Sequence, residues 1–155
     1  MGESLKKRLK QTRFNSPEQE AMLNLTVTGN FLKFKHEAIC NKFGITGPQY
    51  NVLRILKGAY PEGYARCDII SRMLEPAPDV TRLIDRLINE GLVKRYNSPD
   101  DRRLSLAKIT SKGISLLDKM KPDIEQFELL IGKYLTKEET IQISVLCEKI
   151  YGHEV

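Results

Sequence analysis

The sequence is poor in the residues that build metal sites and disulfide frameworks. Its 155 residues include three widely separated cysteines, Cys40, Cys67 and Cys147, and two histidines. No CxxC pair occurs, which argues against a structural zinc and against a disulfide framework. His36 and His153 have no adjacent nucleophile, and no glycine-rich phosphate loop or paired carboxylates are evident, so an enzyme is the least supported class of function.

Long apolar runs are also missing. Uninterrupted apolar stretches span only a few residues, and the basic amino terminus has no apolar segment behind it. We therefore expect neither a membrane-spanning helix nor a signal peptide, and a cytoplasmic location. No repeat of 20–50 residues and no low-complexity segment is present, and the length predicts one domain, or one compact domain with appended helices.

The composition is that of a folded globular protein, with 41% hydrophobic and 29% charged residues. Lys and Arg number 25 against 20 for Asp and Glu, which gives a net charge of +5. This excess favours a polyanionic partner without identifying one.

Local signals divide the chain into helices with one interruption. Residues 1–15 form a basic, polar arm. Ser16, as N-cap, and Pro17 begin a long first helix that ends at Gly44, and Thr46 caps a second helix that ends at Gly58. A loop over 60–66 follows, then a short helix over 67–74, a break at 75–79 and an amphipathic helix over 79–90 that ends at Gly91.

The periodicity changes after Gly91. Residues 92–96 and 104–109 are predicted as two strands joined by the charged tip SPDDRR. Thr110 begins another helix, which Pro122 should interrupt or kink, and Thr136 opens the last helix in a capping box with Glu139. The predicted fold is mainly α with a small β-hairpin wing, a winged helix-turn-helix flanked by helical arms.

The helix over 79–90 has an informative polar face. Its apolar residues, Val80, Leu83, Ile84, Leu87 and Ile88, follow the i, i+3, i+4, i+7, i+8 pattern. Arg82 and Arg86 project from the other side, where an arginine can bond guanine in the major groove and Thr81 can contact phosphate or a thymine methyl. The alternative is a solvated surface helix whose arginines pair with Asp85 or Glu90.

The tip of the hairpin carries Asp100, Asp101, Arg102 and Arg103. Adjacent arginines on a narrow loop can reach a minor groove, and an Asp101–Arg103 pair would fix the guanidinium. The alternative is a solvated turn in which the four charges cancel.

The run VTRLIDRLINEGLVKRYNSPDDRRLSLAKITSKG (80–113) closely resembles the recognition helix and wing of the MarR family of bacterial transcriptional regulators, and GITGPQYNVLRIL (44–56) resembles its second helix. The resemblance implies a homodimer that binds double-stranded, pseudo-palindromic operator DNA and represses transcription until a small molecule or an oxidant releases it. Arg103 matches the minor-groove arginine of the family and Asp101 the acid that orients it. Thr81, Arg82 and Arg86 match its major-groove face, and no cofactor is implied.

The resemblance also implies a division of the chain. The winged domain would span 45–113, and 16–44 with 114–155 would form the dimerisation region. We expect an interchain bundle that includes Ile114, Leu117, Ile124, Phe127, Leu130, Ile141, Leu146 and Ile150. The alternative is a bundle within one chain.

Two further expectations concern ligands and oxidants. Family members bind small aromatic effectors in a cleft beside the winged domain, near which His36, Tyr50 and Tyr60 are expected, although a tyrosine at helical spacing is also typical of a core. Cys40 and Cys147 are expected as buried small hydrophobes.

The competing function for the whole chain is a winged-helix module whose basic face binds an acidic protein instead of DNA.

Overall fold

The computed structural model describes residues 2–76, 79–97 and 105–153. In these ranges it contains helices α1 (Glu3–Leu9), α2 (Pro17–Lys42), α3 (Gly47–Gly58), α4 (Arg66–Ile70), α5 (Val80–Asn89), α6 (Ser111–Glu128) and α7 (Lys137–Tyr151), and strands β1 (Tyr64–Ala65), β2 (Val93–Asn97) and β3 (Ser105–Ile109). A single turn of 3-10 helix, Ile131–Lys133, precedes α7. The architecture is the predicted one, mainly helical with a small antiparallel sheet.

Side-chain caps set the starts of the long helices where the sequence predicts them. Ser16 accepts a hydrogen bond from the Gln19 amide, and Thr46 forms a capping box with Gln49. Thr136 and Glu139 form the predicted capping box of α7. Each cap satisfies amide groups that a helix start leaves without partners, which is why these boundaries are encoded locally.

The sheet has the order β1-β3-β2, and both pairings are antiparallel. β2 and β3 pair from Val93 opposite Ile109 to Asn97 opposite Ser105, which confirms the predicted hairpin strands to within a residue or two. β1 lies in the stretch that the sequence predicts as loop. It is two residues long and owes its existence to its pairing with β3, so no local pattern indicates it.

One core joins the winged domain to the helices around it. Its fully buried side chains come from α2, α3, α4, α5, the strands and α6, and include Cys40, Leu53, Leu56, Ile69, Leu87, Ile109 and Met120. Leu117 and Ile124 of α6 are also buried in this core. The expectation that these two belong to an interchain bundle is therefore wrong, because their own chain already covers them.

Three other details differ from the sequence prediction. Residues Glu3–Leu9 of the arm are helical, with Leu5 only 4% exposed. The helix predicted over 67–74 ends at Ile70. α6 runs through Pro122 without interruption. Pro122 removes only one backbone hydrogen bond, and the packed face of this 18-residue helix holds the other turns in place.

Among the helices so described, none has the length and apolar character needed to cross a lipid bilayer.

Candidate nucleic-acid interface

Helix α5 presents one buried and one exposed face. Val80, Ile84 and Leu87 are buried in the core, as the apolar pattern predicts. The Asp79 side chain caps the helix by accepting a hydrogen bond from the Arg82 amide at 3.0 Å, and Gly91 follows the helix with a φ of 72°. That left-handed backbone favours glycine, which explains the abrupt end of the helix.

Arg82 and Arg86 lie one turn apart on the exposed face. The Arg82 side chain is 80% exposed, and its Nε lies 2.9 Å from Asp79 Oδ2. Arg86 is exposed, and it forms no ion pair within the described ranges. Both guanidinium groups therefore lie outside the folded interior.

The carboxylate between these arginines is engaged elsewhere. Asp85 accepts a hydrogen bond from Arg95 Nη2 on β2 at 2.7 Å, so the ion pair joins the helix to the base of the hairpin. The alternative pairing of Arg82 or Arg86 with Asp85 is absent from the described residues. This arrangement neutralises the acidic charge without cancelling that of Arg86.

Thr81 is half-buried at the first turn of α5, and its hydroxyl accepts a hydrogen bond from Arg66 Nη1 at 3.0 Å. Arg66 begins α4 and is exposed. Sequence reasoning missed Arg66 because the bond joins residues fifteen positions apart on different helices, and no local pattern signals such a contact.

The predicted wing residues Asp101, Arg102 and Arg103 lie outside the described residues, as does the first residue of the predicted second strand, Leu104. The described strands end at Asn97 and begin again at Ser105. Asn97 and Ser105 are cross-strand partners, so the segment between them leaves and re-enters the sheet at neighbouring points.

A cleft of about 820 Å³ lies between α2, α3, α5 and α6. His36 and Tyr50, two of the three residues expected near an effector site, line it, and the His36 ring lies 5.1 Å from the Tyr50 ring and 5.7 Å from the Phe127 ring. Tyr60 does not line the cleft. Arg54, Arg82 and Arg86 also border the cleft. The pKa of Tyr50 is raised, mainly because its hydroxyl is partly buried.

The three cysteines differ in environment. Cys40 is completely buried, as predicted, and burial raises its pKa to about 12, with the nearby charge of Glu37 adding to the effect. Cys147 is half-buried, so the expectation that it is a buried core residue is wrong. Cys67 is exposed on α4. At neutral pH the Cys40 thiol is protonated and inaccessible, which makes it unsuited to oxidant sensing.

Residues 45–105 match the model of the MarR family. The crystal structure of a MarR transcription factor from Planctomyces limnophilus is 38% identical to this chain, covers 88% of this chain and 98% of its own, and superposes with a TM-score of 0.67. Two further solved structures are less than 25% identical to this chain, and their similarity to it is one of fold alone. The S. aureus MepR–DNA complex (23% identity, 83% and 94% coverage) has a TM-score of 0.75, and CouR from Rhodococcus jostii RHA1 bound to p-coumaroyl-CoA (22%, 88% and 95%) has a TM-score of 0.72. The family match, the 38% identity to a solved member and the shared fold lead to one conclusion: this chain belongs to the MarR family of DNA-binding transcriptional regulators.

Proposed function

We propose that the protein is a repressor that binds a pseudo-palindromic operator as a homodimer and leaves it when a small aromatic ligand binds. The observation that carries the proposal is the outer face of α5, where Arg82 and Arg86 are exposed one turn apart and Asp85 is held by Arg95. An exposed cationic helix next to a hairpin fits the major groove of a duplex.

Each predicted site residue has a distinct role in this proposal. Arg82 and Arg86 bond guanine edges or phosphates in the major groove, and Thr81 contacts phosphate. Arg103 enters the adjacent minor groove, oriented by Asp101, and Arg102 adds positive charge there. The winged domain of residues 45–113 thus carries the DNA contacts, and the basic arm of residues 1–15 is outside this domain in sequence.

The last helix supports the dimer. None of the 15 residues of α7 is buried within its own chain, and exposed apolar side chains lie on several sides of it, including Ile141, Ile143, Val145, Leu146 and Ile150. A helix that is apolar on several sides requires a further partner surface. We assign residues 16–44 and 114–155 to the dimerisation region, except for the core residues Cys40, Leu117, Met120 and Ile124.

Sedimentation at micromolar concentration tests the dimer directly. The expected mass is twice the 17.8 kDa of one chain. A mass of 17.8 kDa under these conditions would refute it and would remove the symmetry that a palindromic operator requires.

Selection from random duplexes tests the DNA-binding function. We expect an inverted repeat with half-sites about one helical turn apart, and a steep loss of affinity between about 50 and 200 mM salt. Arg82→Ala, Arg86→Ala and Arg103→Ala should each weaken binding, by about tenfold or more where the arginine bonds a base through two hydrogen bonds. Arg13→Ala removes the same charge outside the winged domain and serves as the control.

The competing function, a module that binds an acidic protein, predicts a different result. No duplex would be enriched over the random pool, and Arg103→Ala would leave the weak residual DNA binding unchanged. Either outcome would favour the protein-binding module over the regulator.

Ligand response is supported by the cleft that His36, Tyr50 and Arg54 share with Arg82 and Arg86. Aromatic rings can stack there, and an anionic group can pair with an arginine. CouR, a protein of the same fold, binds p-coumaroyl-CoA. Calorimetry with benzoate, hydroxybenzoates and hydroxycinnamates should show binding that Arg54→Gln weakens, and the bound ligand should release the selected duplex. If no aromatic acid binds at millimolar concentration, this part of the proposal fails.

A further inference from the structure

We infer that Arg66 of α4 is a further DNA-contacting residue, and that its bond to Thr81 fixes how the recognition helix meets DNA. The inference rests on the proposed DNA-binding function and extends it to a helix outside α5. It starts from one contact, the hydrogen bond of 3.0 Å that Arg66 Nη1 donates to Thr81 Oγ1.

The position of Arg66 favours a contact with DNA. Arg66 is exposed at the first residue of α4, and its guanidinium reaches the first turn of α5, where Thr81 and Arg82 are adjacent in sequence. The cationic surface of α5 is thereby extended toward α4. A guanidinium carries five N–H donors, so the bond to Thr81 leaves others for a phosphate.

The carboxylates of α4, of α5 and of the α5 N-cap are already paired. Asp68 lies 3.8 Å from Arg72, Asp79 lies 2.9 Å from Arg82, and Asp85 lies 2.7 Å from Arg95. Arg72 is held further by its contact with the Tyr64 ring at 4.4 Å. In the described part of the chain, Arg66 therefore joins Arg86 as a cation whose charge no carboxylate cancels.

The same bond determines whether the Thr81 hydroxyl can act as a hydrogen-bond donor toward DNA. A hydroxyl has one proton and two acceptor lone pairs, and Arg66 occupies one of the lone pairs. The proton is therefore turned away from Arg66, so that Thr81 meets DNA as a donor. Phosphate oxygens are acceptors, which suits a contact from this hydroxyl.

The experiment uses the full-length homodimer, the duplex recovered by selection and a duplex of unrelated sequence. Binding is measured by fluorescence anisotropy at salt concentrations between about 50 and 200 mM. Arg66→Ala should lower affinity for both duplexes and should reduce the salt slope by about 0.9 for each phosphate that is no longer neutralised, or about 1.8 for a dimer that carries the change twice. A residue that only supports the fold would change the unfolding temperature without changing this slope.

Three companion variants and one control variant complete the test. Arg66→Lys keeps the charge and should keep the salt slope, while Arg66→Gln is a second uncharged variant in case Arg66→Ala fails to fold. Thr81→Val removes the acceptor, and its effect on affinity should be non-additive with that of Arg66→Ala. Arg13→Ala is the matched charge control.

The outcomes separate this inference from the function on which it rests. If the wild-type protein binds no duplex, the proposed function fails. If the wild-type protein binds and Arg66→Ala and Arg66→Gln match Arg13→Ala in affinity and salt slope, the role of Arg66 is refuted and the function stands.

Discussion

At the scale of single residues, the junction between the hairpin and α6 depends on Thr110 and Gly113. The Thr110 amide donates to the carbonyl of Leu92 at 3.0 Å, and its hydroxyl contacts the carbonyls of Gly91 and Leu92 at 2.8 and 3.1 Å. That hydroxyl also caps α6 by accepting a bond from the Gly113 amide at 3.1 Å. A few atoms thus fix the base of the hairpin against the start of α6.

Gly113 has no room for a side chain. A Cβ at this position would collide with the carbonyl oxygen of Leu92 and would lie 2.7 Å from the Ile109 side chain. We expect Gly113→Ala to lower the free energy of unfolding by about 1–3 kcal/mol, the usual cost of overpacking. Urea denaturation measures the change. Gly58→Ala, where the added methyl group meets open space, is the control, and an equal effect of the two variants would contradict the steric account.

The buried thiol of Cys40 makes the free energy of unfolding depend on pH in the alkaline range. Its pKa is about 12 in the folded chain against an ordinary value of 9.0, because burial disfavours the thiolate. The protonated Cys40 thiol makes its full contribution to the free energy of unfolding below pH 9. That contribution falls as the pH rises toward 12, because the unfolded chain releases the thiol proton at a lower pH than the folded chain does. We expect the free energy of unfolding to fall between pH 9 and 10 with a slope of up to about 1.4 kcal/mol per unit.

Urea denaturation at pH 8, 9 and 10 measures this slope. Cys40→Ala should be less stable at pH 8, because it loses buried atoms, but its stability should depend less on pH. The same slope in both proteins would show that Cys40 is not the responsible group. Tyr50, whose pKa is also raised, contributes mainly at higher pH.

At the scale of helices and strands, what the sequence predicts well is what is encoded locally. Ser16, Thr46 and Thr136 cap helices within three residues of themselves, and the apolar pattern of α5 identifies its buried face. Non-local features were not predictable in this way. β1 depends on pairing with a strand about 40 residues later, and α1, in a basic segment, has one buried side chain, that of Leu5. The Arg66–Thr81 bond joins two helices across the turn between them.

Helix α6 tolerates Pro122 at a cost. Proline in a helix interior lacks an amide donor and is disfavoured by about 3 kcal/mol, of which up to about 1 kcal/mol is recovered through a more restricted unfolded chain. Pro122 is exposed, so Pro122→Ala leaves the core untouched and should raise the free energy of unfolding by about 2 kcal/mol. Thermal and urea denaturation measure the gain.

The matched control for this change is Pro17→Ala. Pro17 occupies the first position of α2, where the missing amide has no helical partner to lose. We expect no gain from Pro17→Ala. A loss of stability in Pro122→Ala would mean that a bend at this point of α6 is needed for packing or for association.

At the scale of the whole molecule, the proposed homodimer predicts that DNA affinity depends on the association of two chains through α7. Ile150 is 63% exposed and Leu146 is 49% exposed in the single chain, so both are available to a partner. The double variant Leu146→Glu/Ile150→Glu places charges in that interface and should shift the protein to a monomer, because an unpaired buried charge costs several kcal/mol. Sedimentation measures the shift.

The same variant should separate dimerisation from DNA reading. Leu146 and Ile150 lie outside the winged domain, so the monomer keeps Arg82 and Arg86 in place and should bind a single half-site as the wild-type chain does. Its affinity for the full operator should fall steeply, because the two chains that bind half-sites one helical turn apart are no longer linked to each other. Gln142→Glu, which adds the same charge at an exposed polar position of α7, should retain the dimer and the operator affinity. A monomeric double variant that binds the full operator as tightly as the wild type would show that DNA recognition does not require two linked chains.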